Sequence, residues 1–77
     1  MDGPYEEIDL GGGYSQRIYS GYKYWYINGE LHREDGPAIE YRGGSKEWWL
    51  NGIEVTEEII EFIIKRKRLR KINRSHG

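Results

Sequence analysis

The chain has 77 residues, a net charge of −1, no cysteine, and an aromatic set of 7 Tyr, 3 Trp and 1 Phe. That length suits one small domain burying about 60% of the surface its unfolded chain exposes. The lack of cysteine excludes a disulfide framework and thiolate metal sites, and His32 and His76 stand too far apart for a structural zinc site.

No apolar run reaches the length of a membrane span or a signal-peptide core. The expectation is a domain of a reducing compartment, without metal, cofactor or membrane, whose core is built largely from aromatics.

From the N-terminus, Asp2-Gly3-Pro4 is echoed later by Asp35-Gly36-Pro37, with Glu7 echoed by Glu40. The stretch Leu10-Gly11-Gly12-Gly13-Tyr14-Ser15 is read as a flexible loop insertion in the first copy. Its glycines lack the Lys-Ser/Thr and the strand-to-helix setting of a phosphate-binding loop. Strands are expected near 17–20, 22–27, 30–33, 37–42, 45–50 and 53–55.

Two of these strands end in the same signal. Tyr22-Lys23-Tyr24-Trp25-Tyr26-Ile27 runs into Asn28-Gly29, and Glu47-Trp48-Trp49-Leu50 runs into Asn51-Gly52. Asn-Gly favours a type I′ hairpin turn, whose two central residues both need positive φ. The shift between copies is 23 residues and pairs Trp25 with Trp48 and Ile27 with Leu50. A period of this size marks stacked hairpins, each too small to bury its own apolar face. Period-two alternation puts Trp25, Ile27, Trp48 and Leu50 on the core face. Tyr22, Tyr24, Tyr26 and Trp49 fall on the other face, either as cross-strand packing or as an exposed partner-binding surface, a homodimer included.

Residues 56–72 read as a C-terminal helix with a basic end, followed by a tail at 73–77. Thr56 is a good N-cap, and Glu57 and Glu58 suit the positive end of the helix dipole. Ile59, Ile60, Phe62, Ile63 and Ile64 supply a wide apolar face, with Glu57, Glu58, Glu61 and Lys65 opposite. The first two turns are expected to pack on the sheet of residues 1–55 and the later turns to project. The fold class is therefore α+β: one domain over 1–77, a twisted antiparallel β-sheet of repeated hairpins closed by one C-terminal α-helix.

The near-neutral total conceals a split. Residues 1–61 hold 13 acids and 5 bases, a net −8, whereas residues 62–77 hold 7 bases and no acid. Those bases are Lys65, Arg66, Lys67, Arg68, Arg70, Lys71 and Arg74. Three uses are open to them: binding DNA or RNA by counterion release, binding an acidic protein surface, or ending as a solvated, frayed helix. The two oppositely charged halves can also attract each other within the chain.

His32-Arg33-Glu34-Asp35 is the densest group of catalytic residue types. Catalysis needs such groups to converge on one cleft, and alternation along a strand would separate His32 from Arg33. Asp35 before Gly36-Pro37 is a typical turn-forming acid. Arg33 is expected to pair with Glu40 or Asp35. No nucleophile stands beside a base, so the chain reads as a non-enzyme with no catalytic residues.

The run Trp25-Tyr26-Ile27-Asn28-Gly29-Glu30-Leu31-His32-Arg33-Glu34-Asp35-Gly36-Pro37-Ala38 resembles a repeat of small bacteriophage and large-virus proteins, roughly WY-x-NG-x-x-HREDGPA. The likeness spans about residues 24–58 and is distantly similar to MORN-type hairpin repeats. It implies a non-catalytic interaction scaffold; the G-x-G spacing of MORN proper is missing, so its lipid binding is not carried over. The expectation is a phage-encoded protein in the cytoplasm of a bacterial host. By analogy with anti-CRISPR proteins, it would inhibit a host defence enzyme by occlusion, the partner being a host protein such as a nuclease or a nucleic-acid-binding complex. The alternative is a nucleic-acid-binding protein that uses the basic helix.

Overall fold

The structure, a computed structural model, describes residues 5–76, with side chains to Leu69. The Asp2-Gly3-Pro4 echo and the side chains of Arg70, Lys71 and Arg74 lie outside the described residues. Seven strands precede one helix: β1 (Glu6–Gly11), β2 (Tyr14–Tyr19), β3 (Tyr22–Ile27), β4 (Glu30–Leu31), β5 (Ile39–Glu40), β6 (Lys46–Leu50), β7 (Ile53–Val55) and α1 (Glu57–His76). The sheet is antiparallel in the order β1-β2-β3-β5-β6-β7, with β4 also paired to β3. This is the α+β architecture expected from the hairpin signals and the C-terminal periodicity.

Both Asn-Gly turns form as read. Asn28 and Gly29 have φ of 48° and 86°, and Asn51 and Gly52 have 51° and 80°. Two further turns share that geometry: Gly12-Gly13 at 64° and 88° between β1 and β2, and Ser20-Gly21 at 31° and 92° between β2 and β3. The loop insertion expected at Leu10–Ser15 is therefore incorrect. Those residues are the end of β1, a tight turn and the start of β2, with Gly11 facing Tyr14. The acid-rich β1 carries a short alternation of acids with Ile8 and Leu10, both exposed; it is held by backbone pairing to β2 and by Asp9, whose carboxylate accepts the Gly11 N–H at 2.9 Å.

The segment 32–38 leaves the β3 edge and returns to it. The His32 N–H donates to the Trp25 carbonyl at 3.0 Å, and the Trp25 N–H donates to the Ala38 carbonyl at 2.8 Å. On its other side, Arg33 and Ala38 donate N–H bonds to the carbonyls of Trp49 (3.1 Å) and Glu47 (2.8 Å). An irregular segment thus fills the gap between the two repeats, so the strands expected at 30–33 and 37–42 shrink to Glu30–Leu31 and Ile39–Glu40.

The core is thinner and placed differently than expected. Among the described residues only Ala38, Ile39, Ile60 and His32 are buried. Trp25, Ile27, Trp48 and Leu50 are half-buried, as are Tyr24, Tyr26 and Trp49 on the opposite face. Directly paired residues share a face. Ile39 opposes Tyr24 and Glu47, so it belongs to the tyrosine side. Each face of a single sheet in so small a chain can cover only part of its aromatics.

The helix starts as expected: the Thr56 hydroxyl accepts the Ile59 N–H at 3.4 Å, and Glu57 and Glu58 occupy the first turn. It packs against β6, and Ile60 is 1% exposed. Its apolar residues divide: Ile63 and Ile64 are half-buried, whereas Ile59 and Phe62 face solvent at 43% and 60% exposure. The wide packed face expected from the sequence is therefore narrower. Contact with the sheet side also reaches a turn further than expected, because Lys67 meets Glu34. No helix of the described residues is long and apolar enough to cross a membrane.

Candidate functional site

Three surfaces carry the residues singled out by the sequence. The first is a cleft of about 370 Å3 on the Trp25 side, lined by Leu10, Tyr14, Trp25, His32, Arg33 and Lys67 among others. His32, 4% exposed, lies at its base. Its Nδ1 accepts the Asn51 backbone N–H at 2.9 Å, which places the ring proton on Nε2. That proton faces Glu34 Oε2 at 3.2 Å, and Glu34 Oε1 accepts a hydrogen bond from Lys67 Nζ.

The result is a chain from the second Asn-Gly turn, through His32 and Glu34, to the helix. The bond from Lys67 is the main reason the Glu34 carboxyl is held below the usual carboxylate range. The same bond raises the Lys67 ammonium above its ordinary value.

Arg33 is equally engaged. Its guanidinium sits 4.0 Å from the centre of the Trp25 ring and donates to Asp35 Oδ1 (2.9 Å) and the Pro37 carbonyl (3.1 Å). Glu40 approaches at 3.6 Å, so both partners expected for Arg33 are used. His32 and Arg33 stand on irregular backbone, not on alternate faces of a strand. The cluster is brought together, and its polar atoms are committed to one another. With one His32 nitrogen accepting from backbone and the other donating to a carboxylate, the imidazole has a structural task.

The second surface is the tyrosine face. Tyr24 opposes Arg17, Tyr26 opposes Ser15 and Tyr22 opposes Tyr19. The Arg17 guanidinium lies 4.9 Å from the rings of both Tyr5 and Tyr26. Tyr19 is edge-on to Tyr24 at 5.1 Å, and Tyr22 is edge-on to Tyr41 at 5.9 Å. The Glu47 carboxylate accepts from the Tyr41 hydroxyl (2.9 Å) and the Trp49 indole (3.0 Å). That bond, ahead of burial, pushes the Tyr41 hydroxyl up; burial does so for Tyr26.

The four residues expected here share one face, but Tyr24, Tyr26 and Trp49 are half-covered by neighbours and Tyr22 alone is exposed. Tyr5, Arg17, Tyr19 and Tyr41 complete the cluster. Sequence reasoning missed them because it assigned faces only within the two repeats, although the Ser20-Gly21 dipeptide marks the turn that lays β2 beside β3.

The third surface is the outward side of α1. Lys65, Arg66 and Arg68 are exposed, and Lys67 alone of that run turns to the sheet. Ile59, Phe62 and Leu69 are 43%, 60% and 60% exposed. Their separations of three and seven residues place them on one stripe, with Arg66 between Phe62 and Leu69. The Arg66 guanidinium leans over the Phe62 ring at 5.8 Å. The apolar stripe was missed as a surface because Ile59 and Phe62 were assigned to the packed face. The spacing carried the signal, since one helix cannot bury residues all around its circumference against one sheet.

Comparison of the chain with protein-family models, with curated proteins and with solved structures finds no match.

Proposed function

We propose that the chain acts by protein–protein contact, without chemistry of its own, through the outward side of α1. The observation that carries this reading is the exposure of Ile59, Phe62 and Leu69 on one stripe among Lys65, Arg66 and Arg68. Exposed apolar anchors rimmed by charge fit a partner that buries the former and answers the latter. The partner surface is therefore apolar at its centre and acidic around it. The resemblance to phage and large-virus repeat proteins supplies the setting: an inhibitor that occludes a host defence enzyme in the manner of anti-CRISPR proteins, within a bacterial cell.

A second reading has its own support. Three exposed cations within one turn also fit a DNA or RNA backbone. The apolar stripe favours the protein partner, because phosphate contacts need no Phe62 or Leu69.

The two readings separate in one experiment. Proteins captured from a bacterial lysate by the wild type are expected to be lost with Phe62→Ser plus Leu69→Ser, with no salt-sensitive shift of DNA or RNA. A shift that survives those substitutions and vanishes on reversing Lys65, Arg66 and Arg68 to Glu replaces the protein reading with the nucleic-acid one.

A further inference from the structure

We infer that in the free protein the α1 stripe is covered by a second copy of this chain, packed antiparallel along the helix and displaced when a host partner binds. The inference rests on the reading of α1 as the contact surface and names what covers it before that partner arrives. Ile59, Phe62, Arg66 and Leu69 recur at separations of three, four and three residues, the a/d spacing of a two-helix seam. Three of the four are apolar and well exposed, and Ile60, buried against the sheet, points elsewhere on the same helix. The seam is thus free of the intramolecular packing that holds the helix in place.

Charge decides both the partner and the direction. The start of the helix carries Glu57, Glu58 and Glu61, and from Lys65 onward the sequence is basic without an acid. A parallel pair would set seven bases against seven and three acids against three. An antiparallel pair lays the acidic start of each helix beside the basic end of the other. In that register Ile59 faces Leu69 of the second copy, and Phe62 faces its Arg66.

The latter pairing extends across the seam the guanidinium–ring contact already made within one helix. The surface sought in the proposed partner, apolar with acids beside it, is the one the helix itself presents. Such a contact is isologous: the same patch serves both copies and closes on itself as a dimer. The tyrosine face and the Trp25 cleft do not take part in the seam.

The test uses the whole chain. Light scattering over a range of concentrations is expected to give twice the 9.1 kDa of one chain, and Phe62→Glu plus Leu69→Glu to weaken self-association roughly 100-fold. Both positions are exposed, so circular dichroism should show the fold unchanged. Because the chain has no cysteine, direction is read by crosslinking without background. Ile59→Cys mixed with Leu69→Cys should give a disulfide-linked pair under mild oxidation, and neither variant should pair with itself.

Self-linking of each variant would mean a parallel pair and overturns the inference. A monomeric mass at every concentration also overturns it. If that monomer still captures another protein through Phe62 and Leu69, the reading of α1 as a contact surface stands while its self-pairing falls. Loss of both removes the two together.

Discussion

The run His32-Arg33-Glu34-Asp35 lies on irregular backbone between two repeats, and the run Lys65-Arg66-Lys67-Arg68 lies on a regular helix. Each packs four polar or charged side chains into four residues. In the first, His32, Arg33 and Glu34 each find more than one polar partner inside the molecule, and Asp35 accepts from Arg33. In the second, only Lys67 finds a polar side-chain partner among the described residues, and that partner is Glu34. Irregular backbone can turn successive side chains toward whatever lies near, whereas a helix distributes them about 100° apart, so one in four meets the sheet. Charge density in sequence therefore does not distinguish a structural cluster from a free surface. Backbone geometry does.

The contrast can be broken at several points. Ile60→Ala should have the largest effect, because Ile60 is the anchor that docks the helix and is 1% exposed. A loss of about 3 kcal/mol is expected for truncating a buried Ile, and a thermal melt should fall by more than ~10 °C. A loss below ~1 kcal/mol would show that the helix is not docked by this residue.

Next comes His32→Ala, which strands the Asn51 N–H and removes the link to Glu34. The donor left without its partner is only part-buried, which puts the cost toward the lower end of about 1–3 kcal/mol. Hydrogen exchange at the Asn51 amide should accelerate with the loss of stability, and an unchanged amide would sink the assignment of Nδ1 as its acceptor.

Arg33→Lys keeps the charge and removes the planar fork over Trp25. A cost of roughly 1 kcal/mol is expected in chemical denaturation, because an ammonium cannot reach Asp35, the Pro37 carbonyl and the ring together. Equal stability of Arg and Lys would argue that only the charge matters.

The Glu34–Lys67 link sets a smaller, pH-dependent effect. The Glu34 carboxyl is lowered in the folded state, so its contribution is present above the ordinary carboxylate value of ~4.3 and lost as pH falls through the folded value. Lys67 is raised, so its contribution is present below ~10.4 and lost as pH rises through the folded value. With Glu34 37% and Lys67 56% exposed, the pair is worth less than about 1 kcal/mol. The difference in stability between wild type and Glu34→Gln should shrink on acidification, and a constant difference down to pH 3 would contradict the link.

The smallest effect belongs to the free run. Arg66→Gln with Arg68→Gln should leave the monomer's stability within ~0.5 kcal/mol, measured at concentrations too low for association. A loss well beyond that would erase the distinction between the two runs.

The sequence was most legible where backbone chemistry is local. Asn28-Gly29 and Asn51-Gly52 specify their turns because both central residues need positive φ, and few residue pairs tolerate it. Thr56, Glu57 and Glu58 mark the helix start for an equally local reason, the unsatisfied N–H groups of a first turn. Gly12-Gly13 and Ser20-Gly21 make turns of the same kind but were harder to read. The strand before the first of them alternates acids with Ile8 and Leu10, a signal only four residues long that runs straight into three glycines and so reads as readily as the approach to a loop.

What the residues determined alone was the set of hairpins, their repetition and the site where the helix begins. Partners were decided only in three dimensions. That His32 would bond the turn 19 residues away, and that Lys67 would find Glu34 across 33 residues, depends on how the second repeat stacks on the first. Which isoleucines of α1 are covered depends on the helix's rotation against β6. Local φ and capping preferences act over two to four residues and can be read in order. Burial and ion pairing depend on distances that exist only once the sheet has closed.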